Sequence, residues 1–145
     1  MRLGEYFTLS ELVHTDTGLL NEPHDQELIN LTRLITLALD LIRAEVGPLR
    51  VTSGYRSPQV NKAVGGVDSS YHTDGLAVDV QHTEMSAREL FNHIKEWFEF
   101  VCIIDKCILE HDRWVHIQIA PIGEYNRNEF WVAKKVNGKT QYRET

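Results

Sequence analysis

A chain of 145 residues has the length of one ordinary domain with a real core and is short for two. Its apolar (42%) and charged (25%) fractions lie near globular values, which argues against disordered and fibrous classes. The formal charge is -6 with acidic and basic residues intermixed, so no basic face is offered to a nucleic acid.

No apolar stretch approaches membrane-spanning length, so no membrane insertion is expected. The opening MRLGEYFTLSEL lacks the basic head and apolar run of a secretion signal, and the expectation is a protein made and kept in a cytoplasm until lysis or dedicated export. Cys102 and Cys107 lie in the apolar run VCIIDKCIL. Their odd spacing places them on opposite faces of a strand, and both read as core residues.

In chain order, Thr8 and Glu11 are spaced as a capping box and predict a short helix over residues 7–14. A polar loop follows. From Asp25 to about Val46, Leu28, Leu31, Leu34, Ile35, Leu39 and Ile42 recur with helical spacing, and Gly47-Pro48 ends that run. Leu49 to Ser53 reads as a strand. Ser57-Pro58 is an N-cap with proline at the first helical position, opening a short helix that Gly65-Gly66 stops. Residues 76–82 read as a strand. Ser86 and Glu89 form a second capping box, ahead of a helix with Ala87, Leu90, Phe91, Ile94, Trp97 and Phe98 on one face. Strands are expected at roughly 101–110 and 113–119, with a tight turn near His111-Asp112. The tail reads as a hairpin turning at Asn137-Gly138. The expected class is α+β, a central antiparallel sheet with the N-terminal helices packed against it, in one domain over 1–145.

Of the seven histidines, His14, His24, His82 and His93 have no partner at a useful spacing and suit exposed or helix-capping roles. Asp79 is different. It sits among Ala77, Val78 and Val80, where an unpaired carboxylate is costly to bury, and His116 lies likewise between Val115 and Ile117. With His72 they form a set of two imidazoles and one carboxylate, which suits Zn²⁺ with a fourth position left for water.

The segments Ser53-Gly54-Tyr55-Arg56-Ser57-Pro58, Asn61, Val64-Gly65-Gly66, Ser70-x-His72-x-x-Gly75-x-Ala77-x-Asp79 and Trp114-x-His116 resemble the zinc D-alanyl-D-alanine carboxypeptidase family. That family includes cell-wall carboxypeptidases, D-alanyl-D-alanine dipeptidases and phage endolysins. The opening Phe7-Thr8-Leu9-x-Glu11-Leu12 and Asn126-Arg127 look like its small single-domain branch. The resemblance implies a hedgehog-like fold, a Zn²⁺ cofactor held by His72, Asp79 and His116, and a peptidoglycan peptide as substrate. It also implies that Arg56 binds substrate beside the metal. A planar, permanently charged fork suits a carboxylate or the oxyanion of a tetrahedral intermediate. Ser70 is expected at the substrate or behind the ligands, and Tyr55 packed under the site.

The chain departs from the family at the general base. Relatives carry Asp or Glu three residues before the second ligand histidine, and here that position is Arg113. Glu110 and Asp112 stand nearby, with His111 a weaker third. If the turn spans His111 to Arg113, Glu110 faces Trp114 across the hairpin and shares a sheet face with His116. The expected function is zinc-assisted hydrolysis of a stem-peptide bond, at D-Ala-D-Ala or at an endopeptidic bond such as L-Ala-D-Glu. An endolysin-type role and a monomeric state are expected with it. The alternative is a zinc-containing, non-catalytic structural or wall-binding module of the same fold, such as a phage particle component.

Overall fold

The computed structural model describes residues 1–145. Helix α1 (Leu9–Val13) is capped reciprocally by Thr8 and Glu11, as the spacing predicts. Helix α2 (Asp25–Leu34) runs through a π-helical turn (Ile35–Leu39) into α3 (Asp40–Val46). The wider turn lets Leu31, Leu34 and Ile35 on one side of it, and Leu39, Ile42 and Val46 on the other, all reach the core. Asp40 accepts hydrogen bonds from the backbone N–H groups of Glu5 and Tyr6 and so ties down the N-terminal segment. Gly47, at φ 90°, ends the helical run in a conformation that favours glycine.

The sheet contains β1 (Leu49–Ser53), β2 (Ala77–His82), β3 (Lys106–Glu110), β4 (Trp114–Gln118), β5 (Glu129–Val136) and β6 (Lys139–Glu144), in the order β1-β2-β4-β3-β5-β6. Between β1 and β2 lie α4 (Pro58–Ala63), capped by Ser57, and a 3₁₀ turn (Tyr71–Asp74). Helix α5 (Ala87–Phe98) links β2 to β3 and has its own capping box at Ser86 and Glu89. Alternation divides the sheet into two faces. Val78, Val80, Cys107, Leu109, Val115, Ile117, Phe130 and Val132 join the helices in one core. Asp79, His116, Gln118, Ile108 and Glu110 alternate with them and occupy the other face.

Three expectations need correction. The sheet is mixed: β3 and β5 pair in parallel, because residues 119–128 carry the chain from the end of β4 back beside the start of β3. Strand β3 starts at Lys106 rather than near 101. Val101 still belongs to the turn off α5 and Cys102 follows it in irregular chain, exposed at φ 59°, so only Cys107 is a core residue. Trp97 falls at the edge of the apolar face of α5 and is 55% exposed beside His93, while Phe98 turns inward. The predicted hairpins are present, with Asn137 and Gly138 at φ 52° and 79° in the β5–β6 turn. No helix is long and apolar enough to cross a membrane.

Gly54, just after β1, marks where the N-terminal segment meets the sheet. A Cβ there would lie 2.3 Å from the Leu12 carbonyl oxygen, and Tyr55 N–H donates to that same oxygen at 2.7 Å. Because the obstacle is backbone, it has no rotamer by which to withdraw. Gly54→Ala is expected to destabilise the protein by about 1–3 kcal/mol in denaturant unfolding, and unchanged stability would contradict this packing.

Candidate metal centre

Asp79 on β2 and His116 on β4 are directly opposed in the antiparallel register, and Ser53 of β1 continues the rung. That register alone puts His116 Nδ1 3.1 Å from Asp79 Oδ1. His72 arrives from elsewhere, on the 3₁₀ turn that Ser70 caps by accepting from His72 N–H at 3.2 Å. Gly75 closes this turn at φ 73°, with the Glu27 carbonyl oxygen 2.5 Å from where a Cβ would sit, so only glycine lets the chain pass α2 into β2. His72 Nε2 then lies 3.3 Å from the same Asp79 oxygen. All three residues are buried, and their ligand atoms fall within 4.8 Å of one another.

Hydrogen bonds on the far side of each ring decide what these contacts are. His72 Nδ1 is 2.8 Å from the Gly54 carbonyl oxygen, which can only accept, so Nδ1 carries the proton. His116 Nε2 is 2.8 Å from Gln118 Oε1. That amide is oriented by Asp105, whose carboxylate accepts from Gln118 Nε2 at 2.9 Å. In its neutral form each imidazole therefore turns a bare lone pair toward an anionic oxygen. Burial lowers the pKa of His72, outweighing the pull of Asp79, so that ring stays neutral. Burial also works against protonation of His116, but the Asp79 hydrogen bond prevails and raises its pKa. A second proton on His116 would satisfy one contact and leave the other repulsive. One cation satisfies both. The 3.1 and 3.3 Å separations also match the edge of a tetrahedron with metal–ligand bonds of about 2.0–2.1 Å. The residues fit a divalent metal ion.

Asp79 has a second oxygen, Oδ2, and Arg56 Nη2 approaches it to 3.5 Å. The rest of that guanidinium is held by Ser53 Oγ at 3.0 Å and Asn61 Oδ1 at 3.3 Å. Asn61, buried, also donates to the Val67 carbonyl and so clamps the Gly65-Gly66 loop. Together these contacts account for why Ser53, Arg56, Asn61 and Gly66 occur as a group. Arg56 thus sets a permanent positive charge beside the buried Asp79 carboxylate. Tyr55 is buried in the core beneath the site.

A cavity of about 710 Å³ opens over this face, lined by Arg56, Ser70, His72, Asp79, Glu110 and His116 among others. The β3–β4 turn is the expected one. Glu110 pairs with Trp114, Arg113 N–H closes the turn on the Glu110 carbonyl at 2.9 Å, and His111 and Asp112 adopt φ 54° and 55°. Both strand positions put Glu110 on the face of His116. Burial, followed by the Asp79 carboxylate, raises the Glu110 pKa above the ordinary range, and the positive charge of Arg56 only partly offsets this. Asp112 is not brought to the site. It is exposed and paired with Arg88 of α5 at 2.8 Å. Arg113 is exposed in the turn, while His111 lines the cavity. Of the remaining histidines, His82 is bonded to the Val46 carbonyl and His93 to Glu45 away from the site, His24 precedes α2, and His14, bonded to Asp16, lines a neighbouring cavity.

Sequence reading missed Gln118 and Asp105. Gln118 alternates with Trp114 and His116 on one strand face, and Asp105 is a carboxylate in an apolar run. Both signals were present. Arg127 anchors Asp105 through two side-chain bonds of 3.1 and 2.8 Å, and its backbone N–H adds a third at 2.9 Å. Burial would raise the Asp105 pKa, but the bonds from Arg127 and Gln118 hold it low.

A family model described as Peptidase M15 matches residues 5–118, a span that takes in every residue of the trio, Arg56 and Glu110. No curated protein gives a match to the chain.

The charges have a consequence for stability in the presence of a chelator. Asp105 has a depressed pKa, so its ionised form stabilises the fold above the unfolded carboxylate value of about 4, and that stability is lost as pH falls below it. Glu110 has a raised pKa and acts in the opposite sense, costing stability as pH rises past its unfolded value. Denaturant unfolding should show stability falling below about pH 4. Glu110→Gln should be more stable than the parent at neutral pH, and a less stable variant would contradict the environment assigned to Glu110.

Proposed function

The chain belongs to the peptidase M15 family, of the zinc D-alanyl-D-alanine carboxypeptidase-like kind, and from its site we propose that it is a zinc-dependent peptidase of bacterial cell-wall peptidoglycan. One observation carries this reading: three converging lone-pair donors and a carboxylate of raised pKa share a single cavity. Zinc, when held by His72, Asp79 and His116, supplies Lewis acidity toward the scissile carbonyl and the attacking water.

The chain's own residues do the rest. Glu110 accepts a proton from the water as its oxygen bonds to the carbonyl carbon. It then returns that proton to the amine nitrogen as the C–N bond breaks. A raised pKa suits both halves of this exchange. Arg56 steadies Asp79 and presents positive charge to the substrate carbonyl or a nearby carboxylate. Ser70 holds the His72 turn from the cavity wall.

The stem-peptide substrate follows from the motif resemblance. A second cavity, of about 460 Å³ and lined by His14, Thr17, Thr52 and Trp114, meets the first at Arg56 and Asp79. Room on both sides of the metal supports a substrate lying across the site and hence an endopeptidic cut, in an endolysin-type role. The non-catalytic alternative rests on Arg113 in the family's base position, and the placement of Glu110 in the same cavity weighs against it.

Protein prepared without chelator is expected to carry about one zinc per chain and to release new amino termini from purified peptidoglycan. Glu110→Gln should keep the zinc and lower kcat by about 10²–10⁴-fold, whereas Asp112→Asn should stay close to the parent. His116→Ala should lose both zinc and turnover. A parent that binds zinc and cleaves nothing would leave the non-catalytic module as the correct reading.

A further inference from the structure

We propose that Gln118, oriented by Asp105 and Arg127, is a positioning residue that sets the tautomer and ring orientation of His116 for metal binding. The inference rests on the metal reading of the trio and concerns residues behind it.

The chain of contacts has one consistent assignment of donors. Arg127 can only donate, so its fork fixes both Asp105 oxygens as acceptors, at 3.1 and 2.8 Å. Asp105 Oδ2 also accepts from Gln118 Nε2 at 2.9 Å, which turns the amide oxygen toward His116. That oxygen takes the His116 Nε2 proton at 2.8 Å and leaves Nδ1 bare toward Asp79. A flipped amide would present N–H₂ to Nε2, drive the proton to Nδ1 and spoil the ligand. Asp105 and Gln118 are both buried, so water does not compete for these bonds. Asp105 further receives the backbone N–H of Arg127, and its own N–H and C=O bond Gln118 O and Glu129 N–H. The crossover that makes β5 parallel to β3 is thus pinned to the residue that orients the ligand's support. Partners of this kind raise ligand basicity and remove rotational freedom from the ring.

The test is zinc affinity by chelator competition, read together with the ¹⁵N–¹H signal of His116 Nε2–H in the zinc-loaded protein. Gln118→Leu is expected to bind zinc about 10–100-fold more weakly and to lose the protected Nε2–H signal. Gln118→Glu alone keeps an acceptor toward Nε2–H but sets a carboxylate against Asp105 Oδ2, so it should bind more weakly than the parent. Gln118→Glu combined with Asp105→Asn restores a donor between the two side chains and should recover part of the affinity and the signal. Asp105→Asn alone, which sets an N–H₂ group against Arg127 or Gln118 donors, should bind more weakly than the double variant. If Gln118→Leu does not fold, the volume-conserving variants carry the comparison. Equal affinities across all folded variants, with an unchanged Nε2–H signal, would overturn the inference while leaving the metal reading intact. A parent protein that binds no zinc would instead overturn the metal reading itself.

Discussion

Everything at the centre of this protein depends on two imidazoles sharing one carboxylate oxygen. Asp79 Oδ1 lies 3.1 Å from His116 Nδ1 and 3.3 Å from His72 Nε2, with all three groups buried. Such a cluster repels itself unless a cation sits among its lone pairs, and it collapses into ordinary hydrogen bonds unless each ring is prevented from turning. The Gly54 carbonyl prevents it for His72, and Gln118 does so for His116. The two devices differ in kind. The Gly54 carbonyl is an acceptor by its nature, whereas the Gln118 amide needs Asp105 and Arg127 to fix which end faces the ring.

The fold serves this cluster by giving the sheet two unlike faces. On one, β-branched and aromatic side chains meet α2, α3 and α5 in a continuous core. On the other, the same strands carry Asp79, His116, Gln118 and Glu110. A site on a sheet inherits the sheet's rigidity, because a ligand can move only if the ladder does. His72 alone comes from a turn. There the chain spends Ser70 as a cap, Gly75 against α2 and a 2.8 Å ring bond to obtain comparable rigidity.

The carboxylate we propose as the base stands at a different point of the hairpin from the position at which the family resemblance places one. A side chain in the tight β3–β4 turn, such as Arg113, projects into solvent, and Asp112 is drawn off to Arg88. Glu110, on the last residue of β3, is cross-strand from Trp114 and on the face of His116. Position in space, rather than spacing from the histidine in sequence, makes a carboxylate available to the site.

How much was legible beforehand follows from the range of the forces involved. Caps, helical periodicity, glycine stops and the two hairpins depend on residues a few positions apart, and Thr8, Ser57, Ser86 and Asn137-Gly138 signalled them directly. The metal trio was legible because polar groups in apolar strands demand partners, and the motif resemblance joined them. The parallel β3–β5 pairing was not legible, since no local residue preference records where residues 119–128 will carry the chain. Nor was the exposure of Cys102, since alternation applies only once a strand has begun. The sequence by itself determined the elements, the ligand types and the need for a cation. Only the tertiary structure decided which carboxylate faces the site and that Asp105 and Gln118 stand behind His116, because those contacts depend on strand register and on a crossover between segments distant in the chain.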